Sequence, residues 1–344
     1  QYEHYFPRGA DEPALSVEVA GPIAVDQLSY FIRGLVLLLG GLLIMAAARS
    51  APGAQTSEYV GLLLVAIAGL MLVGCARELV LLFLGLEMIS IPTYVLLYLG
   101  RGDARSQESA AKYFYLSILS SAVTLYGFSF LYGSAGSTHL PAIRDAFAAG
   151  PADAGPLWWF GRLALALVIA GLAFKLAAVP FQFYAPDVYQ GTTNANAAVL
   201  AVLPKVAALA ALLRIVFVAM PGMEAYGWRL ALILAVLTMT LGNLLALWQT
   251  NVRRLLAYSS VAHGGYMLIG LAVALAAASG VEAAASLAGA GAMLFYLAVY
   301  VIATTGALSA LAYLSSDERQ VDDIDELAGL SRAHPWVALA LAIF

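Results

Sequence analysis

Four ionisable side chains stand inside apolar runs where charge is costly. Glu87 lies near the middle of "LVLLFLGLEMISIPTYVLLYL", and Lys175 late in "PLWWFGRLALALVIAGLAFK". Lys205 is central in "NAAVLAVLPKVAALAALLRIV", and His263 falls within "LLAYSSVAHGGYMLIGL". Lys112 opens a further run, while Arg33 and Arg214 lie nearer the ends of theirs. A charged group at the bilayer centre costs about 3 kcal/mol or more. Lys112, Arg33 and Arg214 can lay their stems along apolar surface and keep their heads in water. His263 can persist as a neutral imidazole bonded to a carbonyl. Glu87, Lys175 and Lys205 are too deep for snorkelling. A carboxylate and two ammonium groups on separate helices can share one hydrated interior path, which is the chemistry of a proton or ion route. The alternative is structural charge pairing.

The stretch after Lys175, "FKLAAVPFQFYAPDVYQG", brings Pro180, Pro186 and Asp187 in quick succession. Pro180 lacks an N–H and blocks the carbonyl four residues earlier, that of Leu176, so the helix is expected to open beside the ammonium. Broken helices at membrane depth are tolerated where they line protein or a water-filled cavity. Pro204, just ahead of Lys205, is expected to act similarly.

The elements that must carry these groups are membrane helices. The 344 residues are 62 % apolar and 11 % charged, with a mean hydropathy of +0.86, whereas soluble domains carry about 25 % charged residues. Run length and Leu/Ala richness favour helices over barrel strands. Nine spans are predicted near 28–48, 59–76, 79–99, 113–133, 157–180, 191–218, 228–249, 255–278 and 285–314, with a cut span from 335. They form a single transmembrane domain over 1–344, whose leading polar segment at 1–27 is read as external. The long loops are 134–156 and 315–334; the acidic cluster from Asp322 to Glu326 in the second is read as a solvated helix face rather than a metal site.

The chain lacks an opening basic-then-apolar signal and stops inside an apolar run, and is read as a fragment cut at both ends. Arginines in alternate loops place Arg49, Arg101, Arg105, Arg253, Arg254, Arg319 and Arg332 on the cytoplasmic side, opposite Arg8, Arg77, Arg144, Arg162 and Arg229. The net charge of −4 argues against a nucleic-acid partner. The single cysteine, Cys75, cannot form an internal disulfide or hold an iron–sulfur cluster alone, and is read as a small packed hydrophobe.

The runs "LLFLGLEMISIPTYVLL", "FKLAAVPFQFYAPDVYQG", "VLPKVAALAALLR" and "NLLALWQTNVRRLLAYSSVAHGGYMLIGL" resemble the antiporter-like membrane subunits of respiratory complex I, the proton-translocating NADH:quinone oxidoreductase. The resemblance covers essentially the whole chain, in order. It implies a fourteen-helix fold with two inverted five-helix repeats, each with one broken helix. Here 59–218 would be the first repeat and 228–344 the second, truncated. By motif match, Glu87 corresponds to the family's glutamate, Lys175 to the lysine of the first broken helix, Lys205 to the central lysine and Lys112 to a further lysine. The implied role is a non-redox subunit of the bacterial inner membrane that moves protons through a Glu/Lys relay beside neighbouring antiporter-like subunits. NADH, FMN, iron–sulfur clusters and quinone would belong to partner subunits. The rivals are a stand-alone cation/proton antiporter and a structural membrane scaffold. One departure stands out. Where the family has a small residue and then "PTPV" after "DVYQG", this chain has "TTNANAAV", Thr192 to Val199, with Asn194 and Asn196 as possible helix caps.

Overall fold

The computed structural model describes residues 21–50, 56–100, 103–147, 156–280, 283–315 and 321–344, without the side chains of 47–50, 156–157 and 283–285. The leading segment up to residue 20, Arg101 and Arg319 therefore lie outside the described residues, as does the side chain of Arg49. The described chain is almost wholly helical: α1 (Gln27–Ser50), α2 (Thr56–Cys75), α3 (Leu79–Leu99), α4 (Ala104–Ala135), α5 (Leu140–Phe147), α6 (Pro156–Lys175), α7 (Ala185–Gly191), α8 (Asn194–Leu213), α9 (Glu224–Ala246), α10 (Val252–Ser279), α11 (Ala283–Leu314), α12 (Leu330–Ala333) and α13 (Pro335–Ile343). Among the described residues, nine helices are long and apolar enough to cross a membrane.

Helix α8 is the axis. It is rich in alanine, so neighbouring backbones approach closely, and all of its residues are buried. A turn of π-helix, Arg214–Ala219, extends it. Helices α1, α2, α3, α6, α10 and α11 all pack on it. Only 22 % of the most apolar stretch of α9 and 28 % of that of α11 are buried, so these two turn most of their surface outward, α11 keeping one face on α8. Helix α6 lies along α4, where Ser120 Oγ donates to the Gly171 carbonyl at 2.7 Å. A Cβ on Gly171 would stand 2.9 Å from the Ser120 carbonyl oxygen, so only glycine allows that approach.

Several expectations are corrected by local chemistry. Helix α4 begins at Ala104, not near 113, because Asp103 caps it by accepting from Ser106 N at 2.7 Å. Lys112 thus sits just over two turns inside the helix instead of opening it. The fifth predicted span stops at Lys175, five residues early. Pro204 does not break α8, which runs unbroken through it. The proline removes one hydrogen bond, but Ala/Leu-rich flanks and packing on every side keep the helix. The start of α8 is capped by Thr193, whose Oγ1 accepts from Asn196 N at 3.2 Å, so neither asparagine supplies the cap. Asn196 is buried instead as a bridge, taking the Tyr59 hydroxyl at 2.5 Å and donating to the Leu96 carbonyl at 2.6 Å. The loops at 134–156 and 315–334 each contain short helix.

Arg214 does not snorkel. Its guanidinium grips both carboxylate oxygens of Asp26 and donates to the Gly74 carbonyl at 2.6 Å, tying the start of α1 and the end of α2 to the end of α8. Both side chains are largely buried, Arg214 at 2 % and Asp26 at 13 % exposure. Removing one partner of a buried pair leaves an uncompensated charge, at a cost of about 3–5 kcal/mol. Asp26→Ala is therefore expected to lower the thermal stability of the purified protein strongly. Asp26→Asn, which keeps an acceptor, should lose less. Equal, small losses in both would show the pair to be dispensable.

Candidate functional site

Two buried clusters flank the break in α6. At the first, Ser90 of α3 accepts from Lys175 Nζ at 2.7 Å and donates to the Leu86 carbonyl at 2.9 Å. Lys175 is only 4 % exposed. Glu87 stands one turn from Ser90 on the same helix, as its i,i+3 neighbour, and accepts a short hydrogen bond from Ser121 of α4. The carboxylate and the ammonium therefore meet the same turn of α3, each held by its own serine, Glu87 by Ser121 and Lys175 by Ser90. Tyr94 donates to Ser117 at 3.0 Å, one turn from Ser121, and its ring meets Tyr113 edge-on at 5.7 Å. Aromatic walls close this side: Phe174 and Tyr184 stack at 4.4 Å, with Tyr113 at 5.7 Å from Tyr184.

The break has a defined chemistry. Ala177 takes the left-handed conformation, φ +55°. Ala178 N donates to the Ala173 carbonyl at 2.8 Å and Ala177 N to the Phe174 carbonyl at 2.9 Å, the pairing of a Schellman cap. That position usually takes glycine; an alanine there costs about 1–2 kcal/mol. The Tyr184 hydroxyl adds a bond to the Phe174 carbonyl at 3.0 Å, and Thr238 Oγ1 of α9 accepts from Val179 N at 3.0 Å. The Val179–Pro180 bond is cis, a turn of 3₁₀ helix covers Phe181–Tyr184, and α7 resumes at Ala185.

The second cluster surrounds Lys205, which is 2 % exposed on α8. Its ammonium donates to the Ser260 carbonyl by a short bond, to Ser260 Oγ at 2.6 Å and to the Tyr300 hydroxyl at 3.3 Å. Ser260 Oγ also meets the hydroxyls of Tyr300 at 2.8 Å and Tyr189 at 3.2 Å. Four helices, α7, α8, α10 and α11, thus converge on one lysine. His263, three turns into α10, places its ring 5.3 Å from that of Tyr300 and shares a hydrogen bond of 2.5 Å between Nδ1 and the Tyr296 hydroxyl. A line of polar groups therefore runs from Lys205 through Tyr300 towards His263, Tyr296 and the half-exposed Tyr266.

Lys112 belongs to neither cluster. It is 41 % exposed and bridges Glu108 at 2.7 Å and Asp187 at 3.1 Å, while Arg254 grips Asp187 from α10 at 2.6 Å. Asp187 of the "PDVYQG" run thereby clamps α7 between α4 and α10. Burial alone would raise the Asp187 carboxyl, but hydrogen bonds from Arg254 and Lys112 outweigh it and hold it below the usual carboxylate value. With the folded value depressed, the clamp's contribution is complete above about pH 4 and fades as pH falls through the lowered value. Partial exposure keeps it to about 1 kcal/mol or less. Asp187→Asn should flatten the acid limb of a stability–pH curve; an unchanged limb would remove the clamp from the account.

The acidic cluster is partly structural. Asp322 pairs with the fully buried Arg253, and Asp323 Oδ1 accepts from Asp325 N at 3.2 Å to cap a 3₁₀ turn. Arg253 also donates to the Thr192 carbonyl at 2.8 Å, anchoring the junction of α7 and α8.

With this geometry in place, comparison with known proteins is direct. The family described as "NADH:quinone oxidoreductase/Mrp antiporter, TM" matches residues 76–344. The chain belongs to this family. A similar relative, NADH-quinone oxidoreductase subunit N 1 of Solibacter usitatus, is 38 % identical over 333 residues, covering 95 % of this chain and 65 % of the relative. A chain in the structure of respiratory complex I from Thermus thermophilus with bound aureothin is 37 % identical, with a TM-score of 0.72 over 93 % of this chain and 64 % of that one. A chain in the Mrp complex of a Dietzia species shares the fold alone, with a TM-score of 0.75 at 24 % identity. This antiporter-family chain thus spans a little under two thirds of the relatives' length.

Sequence reasoning missed Ser90, Ser121, Ser260, Tyr189 and Tyr300, the partners of the ionisable groups. Only the placement of serine and tyrosine inside apolar runs signalled them, and packing explains that placement equally well.

Proposed function

We propose that this chain forms the proton-translocating part of a subunit N of bacterial NADH:quinone oxidoreductase in the inner membrane, working beside other antiporter-like membrane subunits. The observation that carries the reading is the pair of clusters at the broken helix. Lys175 is held through Ser90 one turn from Glu87, and Lys205 is held by Ser260 and Tyr300 at the centre of the bundle. Each lysine sits among neutral oxygens, so it can be charged or neutral without losing every partner. Glu87 supplies the negative charge that favours a proton on Lys175. A proton taken up at Lys175 raises the cost of a second one at Lys205, because like charges in a poorly screened interior repel. One site thereby drives the next by small side-chain motions. NADH, FMN, iron–sulfur clusters and quinone belong, on this reading, to partner subunits; electron transfer there would bias the relay.

The stand-alone antiporter makes a different prediction. A full-length subunit reconstituted by itself should fail to exchange sodium for protons and should pump only within the assembled complex. Sodium-dependent proton exchange by the subunit alone would overturn the complex I reading.

A further inference from the structure

We infer that Gly264 is a positioning residue for proton transfer, leaving the space through which Lys205 gains a second seat on the Leu176 carbonyl; the inference rests on the proton-relay reading above. The cap at the end of α6 satisfies the Ala173 and Phe174 carbonyls, and Leu172 accepts from Leu176 N at 3.1 Å. The Leu176 carbonyl is treated differently. Its helical donor would be residue 180, a proline without an N–H, and among the described residues no group donates to it. That oxygen faces α10 at Gly264. A Cβ on Gly264 would stand 3.0 Å from the Leu176 oxygen and 3.9 Å from Lys205 Nζ, and these are the neighbours it would meet within 4 Å. A carbonyl lacking a donor and a buried ammonium therefore face each other across the one residue type with no side chain.

Lys205 currently spends its donors on Ser260 and Tyr300, on the side of the cluster that continues to His263. Rotation about the ends of its four-carbon stem exchanges the bond to the Ser260 carbonyl for one to the Leu176 carbonyl, with no covalent bond made or broken. Leu176 is the chain neighbour of Lys175, so the second seat turns Lys205 towards the first cluster. The two seats give the lysine a receiving and a releasing position. A methyl group at residue 264 would occupy the passage, because 3.0 Å is shorter than an ordinary C–H···O contact of about 3.3–3.6 Å.

The test uses the intact complex in proteoliposomes, with Gly265→Ala as the packing control. A Cβ at Gly265 meets Met239 Cγ at 2.7 Å and Met239 N at 2.9 Å, a tighter clash on the face of α10 that turns to α9. Gly264→Ala is expected to assemble and to lower pumped protons per electron, short of the Lys205→Ala loss, with a larger solvent deuterium isotope effect on the remaining pumping. Gly265→Ala should leave the coupling ratio and the isotope effect unchanged. Unchanged coupling in Gly264→Ala, equal loss in both glycine variants, or failure of the Gly264→Ala complex alone to assemble would each overturn the inference. If Lys205→Ala itself pumps normally, the relay reading fails first, which separates the two outcomes.

Discussion

Replacing Lys205 should stop proton transfer through this chain while leaving it folded. In Lys205→Ala the hydroxyls that held the ammonium still have each other: Ser260 Oγ lies 2.8 Å from the Tyr300 hydroxyl and 3.2 Å from that of Tyr189. The Tyr300 hydroxyl also donates to the Ala201 carbonyl at 3.1 Å. Few buried polar groups are left unpaired, so the complex should assemble. What is lost is the ammonium held between Ser260 and Tyr300 at the centre of the cluster. Passing a proton through without it means placing an uncompensated charge in the bundle centre, at about 3 kcal/mol or more, which is roughly a hundredfold loss of transfer rate. Lys205→Arg separates charge from titration. A guanidinium keeps the positive charge but does not release its proton near neutral pH. Pumping should fail in the arginine variant too; normal pumping there would mean that the charge alone matters. Quinone reduction and pumped protons measured together on each assembled variant check this.

The second large effect is expected from Glu87→Gln. Glutamine preserves the shape and leaves an amide oxygen to accept from Ser121, so assembly should survive. The negative charge disappears. Residues one turn apart on a helix are surface neighbours, so a carboxylate at Glu87 attracts a cation held by that neighbour. Ser90 is that neighbour, and it holds the Lys175 ammonium at 2.7 Å. Losing that attraction should slow proton loading of Lys175 and lower pumped protons per electron. Normal pumping per electron in a fully assembled Glu87→Gln complex would reduce Glu87 to a structural residue.

The sequence carried the bundle and the interior charges but not their partners. Apolar run length marks helices directly, because a span needs about 20 such residues. Nine predicted spans accordingly have counterparts among the described helices. The break after Lys175 was legible because proline acts locally on a carbonyl at fixed spacing, and the Leu176 carbonyl is indeed left without a helical donor. Pro204 carries the same local signal and does not break its helix, since burial on all sides of α8 is a property of the assembled bundle. The extra turns of α4 escaped hydropathy because "DARSQESAAK" is polar, although Asp103 was a cap in plain view. The Arg214–Asp26 grip joins residues 188 positions apart, and Lys205–Ser260 residues 55 apart. Pairings at such separations are set by topology, which residue type and spacing do not encode. Ala177 in a left-handed conformation is a local exception, legible only once the turn around it is known.

The central claim is that Lys175 and Lys205 are consecutive stations on one route. Pumped protons per electron in proteoliposomes of the intact complex, compared among Lys175→Ala, Lys205→Ala and the double variant with assembly checked in each, test it most directly. A single route breaks once, so the double variant should be as defective as the worse single variant and no more. Losses that multiply in the double variant would show two separate routes and contradict the relay.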